Sequence, residues 1–150
     1  MYTRIISIFM LLLFLSACGT SDNETGNNLL DLDGTWVSNC YLDDPGEYTV
    51  DTFIFSGNNF ETSYKIWNNS SCIGTHIDSD SGSGTFTVGN EVTTASGLTA
   101  IEVDFEINFN GQTFTVLDII RQNGNEFYYG TYIGLNTRPT DLNFNVLLTR

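Results

Sequence analysis

The sequence predicts an all-β domain: an antiparallel up-and-down meander that closes into a barrel of about eight to ten strands. Three observations carry this. Apolar and polar residues alternate with period two along several runs. Short glycine- and asparagine-containing turns separate those runs. No segment shows a helical stripe.

Taken in chain order, Phe60, Thr62, Tyr64 and Ile66 alternate with Glu61, Ser63 and Lys65. Ile101, Val103, Phe105, Ile107 and Phe109 alternate with Glu102, Asp104, Glu106 and Asn108. Period two with one apolar face marks a half-buried strand. The runs 114–120 and 127–133 are rich in β-formers but less regular. Leu142, Phe144, Val146 and Leu148 alternate with Asn143, Asn145 and Thr149, so a strand is expected there too.

Gly57-Asn58-Asn59, Gly89-Asn90, Asn110-Gly111 and Asn123-Gly124 punctuate the runs. Asn-Gly favours the left-handed angles of a type I′ hairpin. Asn110-Gly111 therefore predicts that the strands on either side of it pair antiparallel. Residues 79–84 and 93–97 are expected to be longer, looser connections. A meander of this kind removes its exposed edges by closing.

The chain opens with a different kind of segment. Arg4 is the only charge in the first 21 residues, and Ile5 to Leu15 is apolar apart from Ser7. That length suits the core of an export signal and is short for a membrane span. Leu15-Ser16-Ala17-Cys18 resembles the lipobox of bacterial lipoproteins. The resemblance implies a signal over residues 1–17, cleaved before Cys18, and a diacylglycerol on the Cys18 thiol, with acylation of the freed amine. Several acyl chains hold a domain on a membrane where one alone is marginal. In that class Gly19, in place of Asp, points to the outer membrane. Residues 18–30 are expected to be the lipidated end and a polar, flexible tether, with the barrel over 31–150.

Removing the signal leaves Lys65, Arg121, Arg138 and Arg150 against all 18 acidic residues, four against eighteen, for a formal charge of −14. Such a surface repels nucleic acid and anionic headgroups. Nucleic acid is therefore excluded as a partner, and membrane attachment is expected to come through the lipid. The mature length suits one domain. Once Cys18 is lipidated, Cys40 and Cys72 form the one remaining pair. An oxidising compartment predicts a Cys40–Cys72 disulfide.

A family likeness extends into the domain. Asp33-Gly34-Thr35-Trp36-Val37 at its start and Leu147-Leu148-Thr149-Arg150 near its end resemble the calycins, the group that contains lipocalins. The likeness implies a lipocalin-like barrel in which Trp36 lies at the closed bottom and Arg150 packs across it.

Catalytic chemistry is not evident. His76 is the sole histidine, and there is no Gly-x-Ser-x-Gly elbow or phosphate loop. Asp78-Ser79-Asp80-Ser81-Gly82-Ser83-Gly84 has the opening of a calcium loop, but Gly82 replaces the third ligand and Gly89 stands where Glu is required. Glu102, Asp104 and Glu106 read as a solvated strand face. No enzyme activity, cofactor or metal is expected. Phe60, Tyr64, Phe105, Phe109, Phe127 and Phe144 are the candidates to line an apolar pocket, while Tyr128, Tyr129 and Tyr132 are candidates for a surface patch. Two functions follow as expectations. One is a lipid-anchored barrel holding a small hydrophobic ligand. The other is a filled barrel that docks on an envelope protein.

Overall fold

A computed structural model describes residues 30–150. The expected signal, Cys18 and most of the expected tether lie outside the described residues. Nine strands follow one another: β1 (Gly34–Ser38), β2 (Tyr41–Asp44), β3 (Glu47–Ser56), β4 (Asn59–Trp67), β5 (Asp78–Thr93), β6 (Thr99–Phe109), β7 (Gln112–Asn123), β8 (Glu126–Tyr129) and β9 (Leu148–Thr149). Every pairing between them is antiparallel. Strands β3 to β9 pair in sequence, and β1 joins β9 to β3, which closes an eight-strand ring. β2 lies beside the upper part of β3, above the point where β1 leaves it. The architecture is the lipocalin-like up-and-down barrel that the alternating runs predict.

The side-chain alternation locates the core. Trp36, Phe55, Phe60, Phe86, Val103, Phe105, Phe127 and Leu148 face inward and are buried in one cluster. Their rings meet edge to face, as in Trp36–Phe127 at 4.9 Å, Phe60–Phe105 at 5.0 Å and Phe55–Phe86 at 5.3 Å. Such pairs add about 1 kcal/mol each beyond the burial of their area.

The Asn110-Gly111 turn takes φ values of 50° and 80°, as a type I′ hairpin needs, and joins β6 to β7. Two other expected breaks are not breaks. Residues 79–84 belong to β5, where Ser79, Ser81 and Ser83 point out and Asp80, Gly82 and Gly84 point in. The inward glycines are a packing requirement. A Cβ on Gly84 would come within 1.8 Å of the Glu106 carbonyl oxygen, and one on Gly82 within 2.9 Å of the Phe109 ring. Gly89-Asn90 likewise lies within β5, at a bulge between Val88 and Glu91.

The expected strand over 142–148 is confined to Leu148–Thr149. Its backbone amides are taken by side chains instead: Asn143 Oδ1 accepts locally from Asn145 N–H, and Asn39 Oδ1, from the connection before β2, accepts from Leu147 N–H. Asparagine side chains compete in this way with a sheet ladder. The 127–133 run also stops early, because β8 ends at Tyr129. A single bridge, Gly130 to Leu142, then closes the neck of an irregular lobe. Its base packs outside the barrel, where Ile119, Ala100 and Leu142 form a second, smaller cluster.

The disulfide joins Cys40, just before β2, to Cys72 in the connection between β4 and β5. It closes a separation of 32 residues. Chain entropy alone gives such a link about 3–4 kcal/mol.

Candidate functional site

The two ends of the barrel differ. At the lower end, Leu30 and Leu32 are buried against the core. Trp36 is fully buried, and its Nε1 donates to the Leu32 carbonyl at 2.6 Å. The Arg150 guanidinium lies 4.8 Å from the centre of the Trp36 ring. It also reaches Asp31 Oδ2 at 2.6 Å and the Asp33 carbonyl at 2.8 Å. Trp36, Arg150 and the strap of Leu30–Asp33 together form this lower floor. Arg150 holds the Asp31 carboxyl below its ordinary range by hydrogen bond and charge.

Higher up, the wall is incomplete as sheet. β8 pairs with β7 only from Ile120 to Asn123. Above that, the edge of β7 meets the lobe that follows Gly130 and not another strand. A cavity of about 250 Å³ opens here, inside the barrel and beneath the lobe. Phe53, Phe55, Phe60, Phe105, Phe109 and Phe127 form much of its wall, with Ile107, Val116 and Ile120; Tyr132, Thr137 and Pro139 come from the lobe.

Four of the six aromatics proposed from sequence meet in this wall: Phe60, Phe105, Phe109 and Phe127. Tyr64 does not join them. It shares their strand face, but its cross-strand neighbours are Asp51 and Asp80, nearer the rim. Phe144 is 53% exposed and stacks edge-on against Tyr128 outside the barrel, since the strand expected to turn it inward does not form. Phe53 and Phe55 were not singled out from the sequence. Inward positions 49, 51, 53 and 55 read Thr, Asp, Phe, Phe, and the mixture hides the alternation.

The interior also holds polar groups. Asp51 sits between two phenols, accepting from Tyr41 Oη at 2.8 Å and from Tyr129 Oη at 3.2 Å. Burial raises the Asp51 carboxyl, and the two phenols partly offset it by hydrogen bonding. Burial, with the Asp51 charge beside it, raises both phenols as well.

Asp118 is the second such group. It lies opposite Val103, and it lines the cavity. Its Oδ1 accepts from the amides of Ile119 at 2.7 Å and Gly130 at 2.9 Å. Among the described residues no donor reaches Oδ2, yet no buried side-chain oxygen is left without a partner. Oδ2 therefore meets accessible space. Burial pushes the carboxyl up to about 7 against the two amide bonds and the Arg138 charge.

Gly130 makes the Asp118 contact possible. A Cβ there would stand 2.5 Å from Pro139 Cβ and 2.7 Å from Asp118 Oδ1. Arg138 anchors the lobe from outside. Its guanidinium donates to the Asp118 carbonyl and to Asp104 Oδ1, and its Nε lies 3.2 Å from Glu102 Oε1. Glu102 and Asp104, expected as a bare solvated face, thus hold the lobe down.

No known family, characterised protein or solved structure matches this chain. The functional argument rests on the geometry. Among the described residues no group of three or more His, Cys, Asp or Glu side chains is placed to hold a metal. Asp78 and Asp80, the start of the calcium-like run, each bond the next residue's amide on a straight strand.

Proposed function

We propose that this protein is a cell-envelope lipoprotein whose barrel binds a small hydrophobic ligand and which performs no catalysis. The cavity carries the proposal: about 250 Å³ walled mainly by phenylalanine and aliphatic side chains. An apolar pocket open to solvent leaves its phenylalanine walls in contact with water, and a hydrophobic ligand removes that surface from water. Ligand sites combine such apolar walls with a few polar groups that set orientation. Thr62, Asp118, Tyr129, Tyr132 and Thr137 are the polar side chains here.

The lipobox resemblance supports attachment through lipid on Cys18, with Gly19 directing the protein to the outer membrane. The acidic surface supports a domain held near the bilayer by that lipid and not by charge. The Trp36–Arg150 contact supports a distant relationship to the calycins.

Docking on an envelope protein is favoured by a different observation. Tyr132, Ile133 and Leu135 project from the lobe at 68%, 53% and 46% exposure. Native mass spectrometry of protein purified from its own host separates the two. A ligand-binding barrel yields one extra small-molecule mass per chain, over and above the acyl groups. A bare lipidated mass together with a stoichiometric protein partner overturns the ligand proposal in favour of docking.

A further inference from the structure

The chemistry of the ligand can be narrowed, on the premise that the cavity is a binding site. We infer that its ligand is an apolar amine, whose hydrocarbon body packs among Phe105, Val116 and Phe127 and whose ammonium group pairs with Asp118 Oδ2.

Asp118 is the one charged side chain in the cavity wall. Its Oδ1 is saturated by two amide donors, which fix the carboxyl plane. Oδ2 has no donor among the described residues and reaches accessible space. The nearest cation cannot satisfy it. Arg138 lies on the far side of the wall, and its guanidinium is committed to the Asp118 main-chain carbonyl, Asp104 and Glu102. A carboxylate left alone in apolar surroundings is costly, and a ligand ammonium relieves that cost while gaining a charge-assisted bond. A fatty acid would bring like charge into a wall with no cation. A neutral hydrocarbon would leave Oδ2 unpaired. The net negative surface also favours the approach of a cation.

The groups around Asp118 fix the pH behaviour. Val103 faces it from β6, and Gly130 donates from the residue after β8. Tyr129 and Tyr132 share the cavity wall with it. Arg138, balanced by Glu102 and Asp104, stands behind it. Asp51 bonds the Tyr129 hydroxyl farther along the interior. With the carboxyl held up to about 7, the empty site is protonated below that pH. An ammonium ligand must then displace a proton, so its affinity falls about tenfold for each pH unit below 7. A neutral ligand shows no such slope.

The test is calorimetric titration of the full chain in non-ionic detergent, with matched blanks, using 2-naphthylmethylamine, 2-naphthylmethanol and 2-naphthoate. The expected order is amine first, alcohol weaker by about tenfold or more, and carboxylate absent. In Asp118→Asn the preference for amine over alcohol disappears. If that variant does not fold, the wild-type pH series from 8 to 5 decides alone. Equal binding of amine and alcohol, or amine affinity that is flat with pH, overturns the amine assignment and leaves the hydrophobic site standing. Absence of binding by all three compounds overturns the site itself.

Discussion

At the scale of single residues, Asp118 links stability to pH. Its folded carboxyl sits near 7, well above the ordinary Asp value near 4. A raised carboxyl binds its proton more tightly in the folded state. Its contribution is fully present below about pH 4 and is lost as pH rises through 7. Asp31 and Asp141 carry the opposite sign. Each is lowered by hydrogen bonding, to Arg150 and to Ser96 respectively, so their contribution is lost only in stronger acid. Urea denaturation at pH 5 and pH 8 should show Asp118→Asn less sensitive to pH than wild type, by on the order of a few kcal/mol. Equal pH dependence in the two proteins would contradict the buried carboxyl. Trp36 makes a separate prediction. Trp36→Ala removes the most deeply buried large side chain and orphans the Leu32 carbonyl, and should cost about 3–5 kcal/mol in the same assay.

At the scale of elements, the lobe after β8 depends on Gly130. Gly130→Ala places a methyl into Pro139 and Asp118, so the lobe must lift from the edge of β7. Faster amide exchange across residues 131–141, with β3 to β6 unchanged, is the expected result. Unaltered exchange in the lobe would show that Gly130 does not seat it. The clean hairpins were legible beforehand: β4 and β6 have strict alternation, and Asn110-Gly111 can do little but turn. β5 was not legible, because Gly82 and Gly84 contribute no side chain to a pattern that depends on side chains. Their inward place is explained by Glu106 and Phe109 on the next strand, which is long-range information. The lobe departs from its sequence pattern for the converse reason. Leu142, Phe144, Val146 and Leu148 keep the period of a strand, while Asn143 takes the Asn145 amide locally and the distant Asn39 takes that of Leu147.

At the scale of the whole molecule, the disulfide and the proposed lipid anchor concern different parts of the chain. Cys40 and Cys72 tie the start of β2 to the β4–β5 connection, and neither lines the cavity. Replacing both by Ser should lower stability by about 3–4 kcal/mol without weakening ligand binding. Loss of binding at a temperature where the variant is folded would assign the disulfide a role in the site. The anchor is checked by metabolic labelling with an alkyne palmitate: wild type should take the label, and Cys18→Ser should not. Equal labelling would remove Cys18 as the lipidated residue. Phe60, Phe105 and Phe109 are readable because they lie on regularly alternating strands. Asp118 is not, since nothing in Leu117-Asp118-Ile119 announces that the wall of the barrel ends beside it.

The claim at the centre is that the barrel interior, and not the outer lobe, is where this protein meets its ligand. Photolabelling with a small apolar diazirine, followed by peptide mapping, addresses it most directly. Saturable labelling, at about one label per chain, should fall on peptides containing Phe105, Val116 and Phe127, and an excess of unlabelled naphthyl compound should suppress it. Labelling confined to Ile133 and Leu135, which lie outside the cavity wall, or rising without saturation, would contradict it.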